Sequence, residues 1–280
     1  ICTLNNPDEV LLAEQLIDIS PGQEMVRFTR SGGEANAVAI RIARAASSKT
    51  KVAICGYHGW HDWYLSANHE NTNNLNTHLL SGLSVDGVPE ELSGLTIPFL
   101  YNDIKKLEDI VVNNEISAVK MEVKRNIDPN PMFLKEVRKL CDEKGILLIY
   151  DEIQAGLGRS GKMWAHEHWD TPPDILCLAK GIAGGVPMGA TLVKPEILDC
   201  ISKGEHSSTF GGNPLSCAAG VATMQALTQD KLVENSANMG RLFRQGLDKL
   251  KEKHPVIREI RGKGLMIGVE LKFEVRDILM

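Results

Sequence analysis

No two of the six cysteines (Cys2, Cys55, Cys141, Cys177, Cys200, Cys217) are spaced as a CxxC pair. That argues against a disulfide framework or a zinc site and fits a reducing, cytoplasmic setting. No apolar run approaches the roughly 20 residues needed to span a bilayer. Basic charge is not in excess: 31 Lys and Arg stand against 36 Asp and Glu, interspersed, for a net charge of −5. The chain therefore offers no basic face to nucleic acid. No GxGxxG follows an early strand, which counts against a dinucleotide-binding domain. Two histidines in AHEHWD, His166 and His168, point apart at i, i+2 on a helix, and no third metal ligand is near them.

What is present is an alternation of helical and strand periods through 280 residues of ordinary globular composition. PDEVLLAEQLIDI, GGEANAVAIRIARAAS and FLKEVRKLCDEKG have helical spacing, the last ended by Gly145 at its C′ position. MVRFTR, KVAICG, LTIPFLYN, ISAVKME, GILLIYDE, PDILCLAK and MGATLV read as strands. Residues 68–94 read as a long loop, 214–252 as one very long helix, and PVIREIRGKGLMIGVELKF returns to strand periods. The closing VELKFEVRDILM reads as a helix that stops partway, so the chain has the look of a core piece of a longer protein. Continuous Val/Ile/Leu runs alternating with helices imply a mostly parallel sheet covered on both faces.

Ligands of such sheets bind beyond the C-terminal strand ends. After GILLIY come Asp151 and Glu152, costly to bury without a cationic or capping partner. After DILCLA comes Lys180, followed by Gly181, Gly184 and Gly185. It either snorkels to solvent or projects into a ligand space. After MVRFTR comes SGGEA, where glycines opening a helix offer N–H groups and a positive dipole end to a phosphate. After KVAIC comes Gly56-Tyr57-His58-Gly59, an aromatic where backbone can approach a flat ligand. A phosphate cradle, a stacking surface, an acid and an amine together make the inventory for pyridoxal 5′-phosphate (PLP).

In order and spacing, SGGEANAVAIRIAR, GYHGW, DEIQAGLGRSG, LAKGIAGGVPMGA and STFGGNP resemble the class III (ornithine/acetylornithine-type) aminotransferases of PLP fold type I, from about residue 7 to 272. The resemblance implies an α/β three-layer large domain with a mostly parallel seven-stranded sheet over residues 1–250, its N-terminal segment trimmed. Residues 251–280 would open a small α/β domain, also trimmed. By the same resemblance Lys180 is the Schiff-base lysine, whose released amine is the base in ping-pong transfer between an amine donor and an oxo acid or aldehyde. The imine explains why that lysine would sit inside. Asp151 matches the partner of the pyridine nitrogen, and Gln154 the residue near the 3-hydroxyl. Gly32 and Gly33 match the phosphate turn, with Ser31 as an added contact. Tyr57 matches the ring-stacking aromatic, with His58 as second choice. Ser208 and Thr209 match a segment that reaches the neighbouring subunit's phosphate, implying a homodimer with shared active sites. Glu122 matches an acid near the substrate that can pair with a specificity arginine; the other reading is a solvated strand-end acid. Arg159 reads as structural.

The pattern also departs from that family. Trp60 stands where acetylornithine-type members carry a carboxylate-gripping arginine, so an acidic substrate would need its cation elsewhere. Val123 follows Glu122 where many relatives have proline. GYHGWHDWYLSA resembles glutamate-1-semialdehyde aminomutases, whereas the second half resembles the acetylornithine and ornithine branch. Two alternatives follow: a 2,1-aminomutase acting on a semialdehyde, and a scaffold that binds the cofactor without turnover.

Overall fold

The computed structural model describes residues 4–78, 80–124, 128–202, 206–273 and 275. The seven apolar runs form strands β1 Met25–Thr29, β2 Lys51–Cys55, β3 Thr96–Pro98, β4 Ile116–Glu122, β5 Leu147–Asp151, β6 Ile175–Leu178 and β7 Gly189–Val193. They make one sheet in the order β1-β7-β6-β5-β4-β2-β3. β7 runs antiparallel to β1 and β6, and the other pairs are parallel. The expected mostly parallel seven-stranded α/β sheet is therefore the observed one.

Alternate residues of each strand feed two cores, which makes the domain three-layered. On one face, Ile54, Ala118, Ile149 and Cys177 pack with Ala39, Ile40 and Ala43 of α2 (Gly32–Ser47). On the other face, Val119, Leu148, Leu176 and Leu192 pack with three helices. These are α1 (Pro7–Asp18), α5 (Phe133–Lys144) and α7 (Pro214–Gln229), with α4 (Ile104–Asn113) beside α5. Short helices α3 (Asp62–Leu65) and α6 (Pro195–Leu198) complete the α2 side. Local chemistry sets the helix ends. Asn6 and Ser31 accept the N–H groups of Glu9 and Glu34 at 3.0 and 3.3 Å. Gly145 ends α5 in the left-handed conformation, φ 60°.

Two expectations need correction. Residues 214–252 are not one helix: α7 ends at Gln229, and α8 (Leu232–Lys253) restarts after Lys231, whose φ is 51°. The break lets the two faces diverge. α7 places Gly220 against Leu12 of α1, whereas α8 places Gly240 against the turn at Gly264. That turn joins β8 (Ile257–Lys263) to β9 (Met266–Leu271), an antiparallel pair separate from the main sheet. The closing stretch is not helical where it is described, because Val269–Leu271 belong to β9 and pair with β8. Here cross-strand pairing overrides the local helical pattern; residues 276–280 lie outside the described residues. The expected domain boundary at 250 falls in the last turn of α8. No described helix is long and apolar enough to cross a membrane.

Candidate active site

A cavity of about 580 Å³ opens beyond the ends of β4, β5 and β6, walled by Gly32, Asn36, Tyr57, Asp151, Gln154 and Lys180. Four of these six were singled out at strand ends in the sequence and Gln154 by the family resemblance, and the fold brings them together.

Asp151 ends β5 and is buried. Its Oδ2 accepts hydrogen bonds from Asn36 Nδ2 at 2.8 Å and His58 Nδ1 at 2.9 Å, and its Oδ1 accepts the Ile153 N–H at 3.1 Å. Burial alone would raise its pKa. The His58 hydrogen bond, the charge of Lys120 and the Asn36 donor outweigh burial and bring the carboxyl down to about 2. Burial, chiefly, pushes His58 below the ordinary histidine value. The pair is therefore a carboxylate and a neutral imidazole that donates from Nδ1; His58 Nε2 is buried without a hydrogen-bond partner. His58 is thus the hydrogen-bond partner of Asp151, and it also lines the cavity.

The N-terminus of α2 forms another wall. Ser31 spends its hydroxyl on the cap of that helix. Gly32 and Gly33 sit close against neighbouring side chains: a Cβ would lie 2.7 Å from Ile153 Cδ1 at Gly32 and 2.4 Å from His61 Cε1 at Gly33, so either side chain would have to move to admit one. The positive end of a 16-residue helix therefore meets the cavity through bare backbone.

Lys180 differs from expectation. It lines the cavity with Asp151 but is exposed in the single chain, not enclosed. It opens a 3-10 turn over Lys180–Ala183 at φ 52°, a left-handed backbone costing a non-glycine residue about 1 kcal/mol. Tyr57 lines the cavity and meets Tyr64 edge-on at 5.8 Å. Gln154 also lines it, on a loop clamped by Arg159, whose guanidinium donates to the Gln154 and Ile153 carbonyls at 2.6 and 2.9 Å. Glu122 is not a solvated acid: it is 2 % exposed, lines the cavity and accepts the Tyr57 N–H at 2.9 Å.

Trp60 stays off the cavity wall; it is 71 % exposed and stacks on His61 at 4.7 Å. Ser208 and Thr209 also lie off the wall of their own chain's cavity. His166 and Glu152 serve each other, with Nδ1 and Oε1 at 2.8 Å, and His168 Nε2 lies 3.0 Å from the Ser160 carbonyl.

Three residues escaped the sequence reading. Asn36 holds Asp151 from α2; its signal was its place four residues after Gly32, one turn along the same helix face. Arg30 lines the wall beside the glycine turn, its guanidinium 3.9 Å from the Glu34 carboxylate. Lys120, inside β4, carried no signal beyond a lysine in an apolar run.

Residues 1–279 match the family described as "Aminotransferase class-III". An acetylornithine aminotransferase of Caldanaerobacter subterraneus is 39 % identical over 279 residues, covering 96 % of this chain and 68 % of that protein. Among solved structures, the ornithine aminotransferase of Toxoplasma gondii superposes with a TM-score of 0.85 at 30 % identity, covering 96 % of this chain and 65 % of that one. A taurine:2-oxoglutarate aminotransferase of Bifidobacterium kashiwanohense, solved with PLP and glutamate, gives a TM-score of 0.82 at 25 % identity, with 96 % and 65 % coverage. The chain thus spans about two-thirds of the length of these relatives, and their names favour amino transfer over the aminomutase alternative. With a fold shared by solved aminotransferases and residues 1–279 matched to the family, this chain belongs to the class III aminotransferases, a PLP-dependent family.

Proposed function

We propose that the cavity holds PLP and that the protein moves an amino group between an amine or amino-acid donor and an oxo acid or aldehyde. One observation carries the reading: a buried carboxylate held ionised by three donors shares a cavity with a lysine and a helix N-terminus. This donor set fits the cofactor. Asp151 suits a protonated ring nitrogen, the crowded glycines suit a phosphate that needs bare N–H groups, and Tyr57 suits a ring face. When bound, the cofactor supplies an electron sink for the carbanion left at the substrate Cα.

The chain's own residues supply the rest. Asn36 and His58 fix the Asp151 carboxylate, so that its charge does not have to reorient as charge develops nearby. Lys180 Nζ carries the proton that leaves the substrate Cα, a task suited to an amine on the cavity wall. Gln154 is held for a polar contact by the Arg159 clamp on its own carbonyl. Arg30, at the cavity rim, is the cation nearest the glycine turn, and by turning from Glu34 it could meet the carboxylate of a donor or acceptor. Ser208 and Thr209, exposed or half-buried away from their own cavity, suit a contact with the site of a second copy in a homodimer. We assign residues 1–250 to the cofactor-binding domain, the rest to the start of a small domain, and the protein to the cytoplasm.

Lys180→Ala tests the reading. Purified wild-type protein supplied with PLP should turn yellow and keep its colour through gel filtration. The variant should lose the cofactor on filtration, and amino-transfer turnover should fall by at least roughly a thousandfold. Undiminished turnover in the variant would refute the assignment.

A further inference from the structure

We propose that Lys120 is a positioning residue for this site, a buried ammonium behind Asp151 that sets how tightly Asp151 and His58 hold their protons. The inference rests on the proposed role of Asp151. Lys120 lies in the middle of β4, 0 % exposed, with Ile54 and Ile149 as its neighbours in register on β2 and β5. Strand alternation puts it on the α2 side of the sheet, with Ala118 and Glu122. That is the layer that contains Asp151. Its Nζ meets the Cys177 Sγ at 3.6 Å, and Cys177 is the register partner of Asp151 across β5 and β6. The same sulfur donates to the Ala35 carbonyl at 3.7 Å, in the turn of α2 that also carries Asn36. Lys120 does not line the cavity.

Packing alone does not account for a lysine here. A buried ammonium is strongly unfavourable when its partner is a poor acceptor, and an apolar side chain of similar volume usually serves a core as well or better. Among the described residues Lys120 makes no salt bridge, and a sulfur is a weak acceptor. Cys177 does not cancel the charge, because burial pushes its thiol up to about 11. The groups that feel the charge are those facing it around the strand ends. They are His58 just after β2, Asp151 on β5 and Cys177 on β6, with Cys55 at the end of β2, His78 from the following loop and Glu122 on β4 as the other titratable groups around these strand ends. Of these, Asp151 and His58 share a hydrogen bond, and a nearby cation favours the same state of both: carboxylate and neutral imidazole. Lys120 thus keeps the proton off the pair, so that the full charge of Asp151 is available to the cavity.

The test uses cofactor-free protein, so it stands apart from the Lys180 experiment and from any failure of PLP to bind. Lys120→Met keeps an unbranched side chain of similar length and removes the charge. NMR titration of the His58 imidazole should show its midpoint rising by about one pH unit, a tenfold gain in proton affinity. A merely structural lysine would change the melting temperature and leave that midpoint in place. That result would overturn the proposal. Should the variant fail to fold, the wild-type chain decides the matter through the 15N signal of the Lys120 Nζ at pH 7. An ammonium signal supports the role, and a neutral amine ends it.

Discussion

Asp151→Asn removes one charge with almost no change of shape, and the structure says what it should cost. The asparagine has one oxygen where the aspartate has two. Its better orientation gives that oxygen to Asn36 and His58 and turns its amide toward the Ile153 N–H, now 3.1 Å from a donor instead of an acceptor. Leaving a buried N–H unpaired costs about 1–3 kcal/mol. The two surviving bonds become neutral ones, each weaker by about 1 kcal/mol. The sum is about 3–5 kcal/mol, a large part of the 5–15 kcal/mol typical of a whole domain. The pH dependence gives a second number. The folded carboxyl, at about 2, lies below its ordinary 3.8, so its contribution is complete above pH 3.8 and fades as pH falls toward 2. The depression corresponds to about 2.5 kcal/mol. Urea unfolding of the cofactor-free protein at pH 7 measures the first quantity, and the midpoint across pH 5 to 3 the onset of the second. A variant as stable as wild type at pH 7, within 0.5 kcal/mol or so, would show that the three donors do not hold the carboxylate as described.

Gly33→Ala drives a methyl to 2.4 Å from His61 Cε1, under the Trp60 stack. It should lower stability by about 1–3 kcal/mol and weaken PLP retention; a colour titration with unchanged half-saturation would count against the phosphate turn. His78 Nδ1 accepts the Gly56 N–H at 2.9 Å, which a protonated ring cannot do, and burial holds its pKa down at about 4. Its contribution is present above the ordinary 6.5 and lost as pH falls toward 4, about 3 kcal/mol in all. His78→Asn should flatten the fall in urea midpoint between pH 6.5 and 4, and an equally steep fall would refute the role.

The sequence made legible whatever depends on short-range pattern. The seven strands were readable because continuous apolar runs signal strands buried on both faces, and the strand-end rule then exposed Gly32, Gly33, Tyr57, Asp151 and Lys180. What escaped depends on contacts far along the chain. Asn36 meets Asp151 across 115 residues, and within α2 it looks like any polar residue on an alanine-rich helix. Lys120 was hidden because a lysine in ISAVKME mimics an outward-facing position of an alternating strand, whereas every residue of β4 is buried. The break at Lys231 had no proline or glycine to announce it; only the different partners of α7 and α8 require it. The exposure of Lys180 followed from the 3-10 turn that begins there, which strand periodicity does not encode.

One helix serves both ends of the cavity. Its first residues, Gly32 and Gly33, line one wall of the cavity, and Asn36, one turn on, grips the Asp151 carboxylate at the other side. Because a helix rises 1.5 Å per residue, these two anchor points are spaced by about 6 Å along a rigid rod. The rod is a gauge: it measures the occupant from tail to head. If PLP is held as proposed, pyridoxal without its phosphate would leave the glycine end uncontacted.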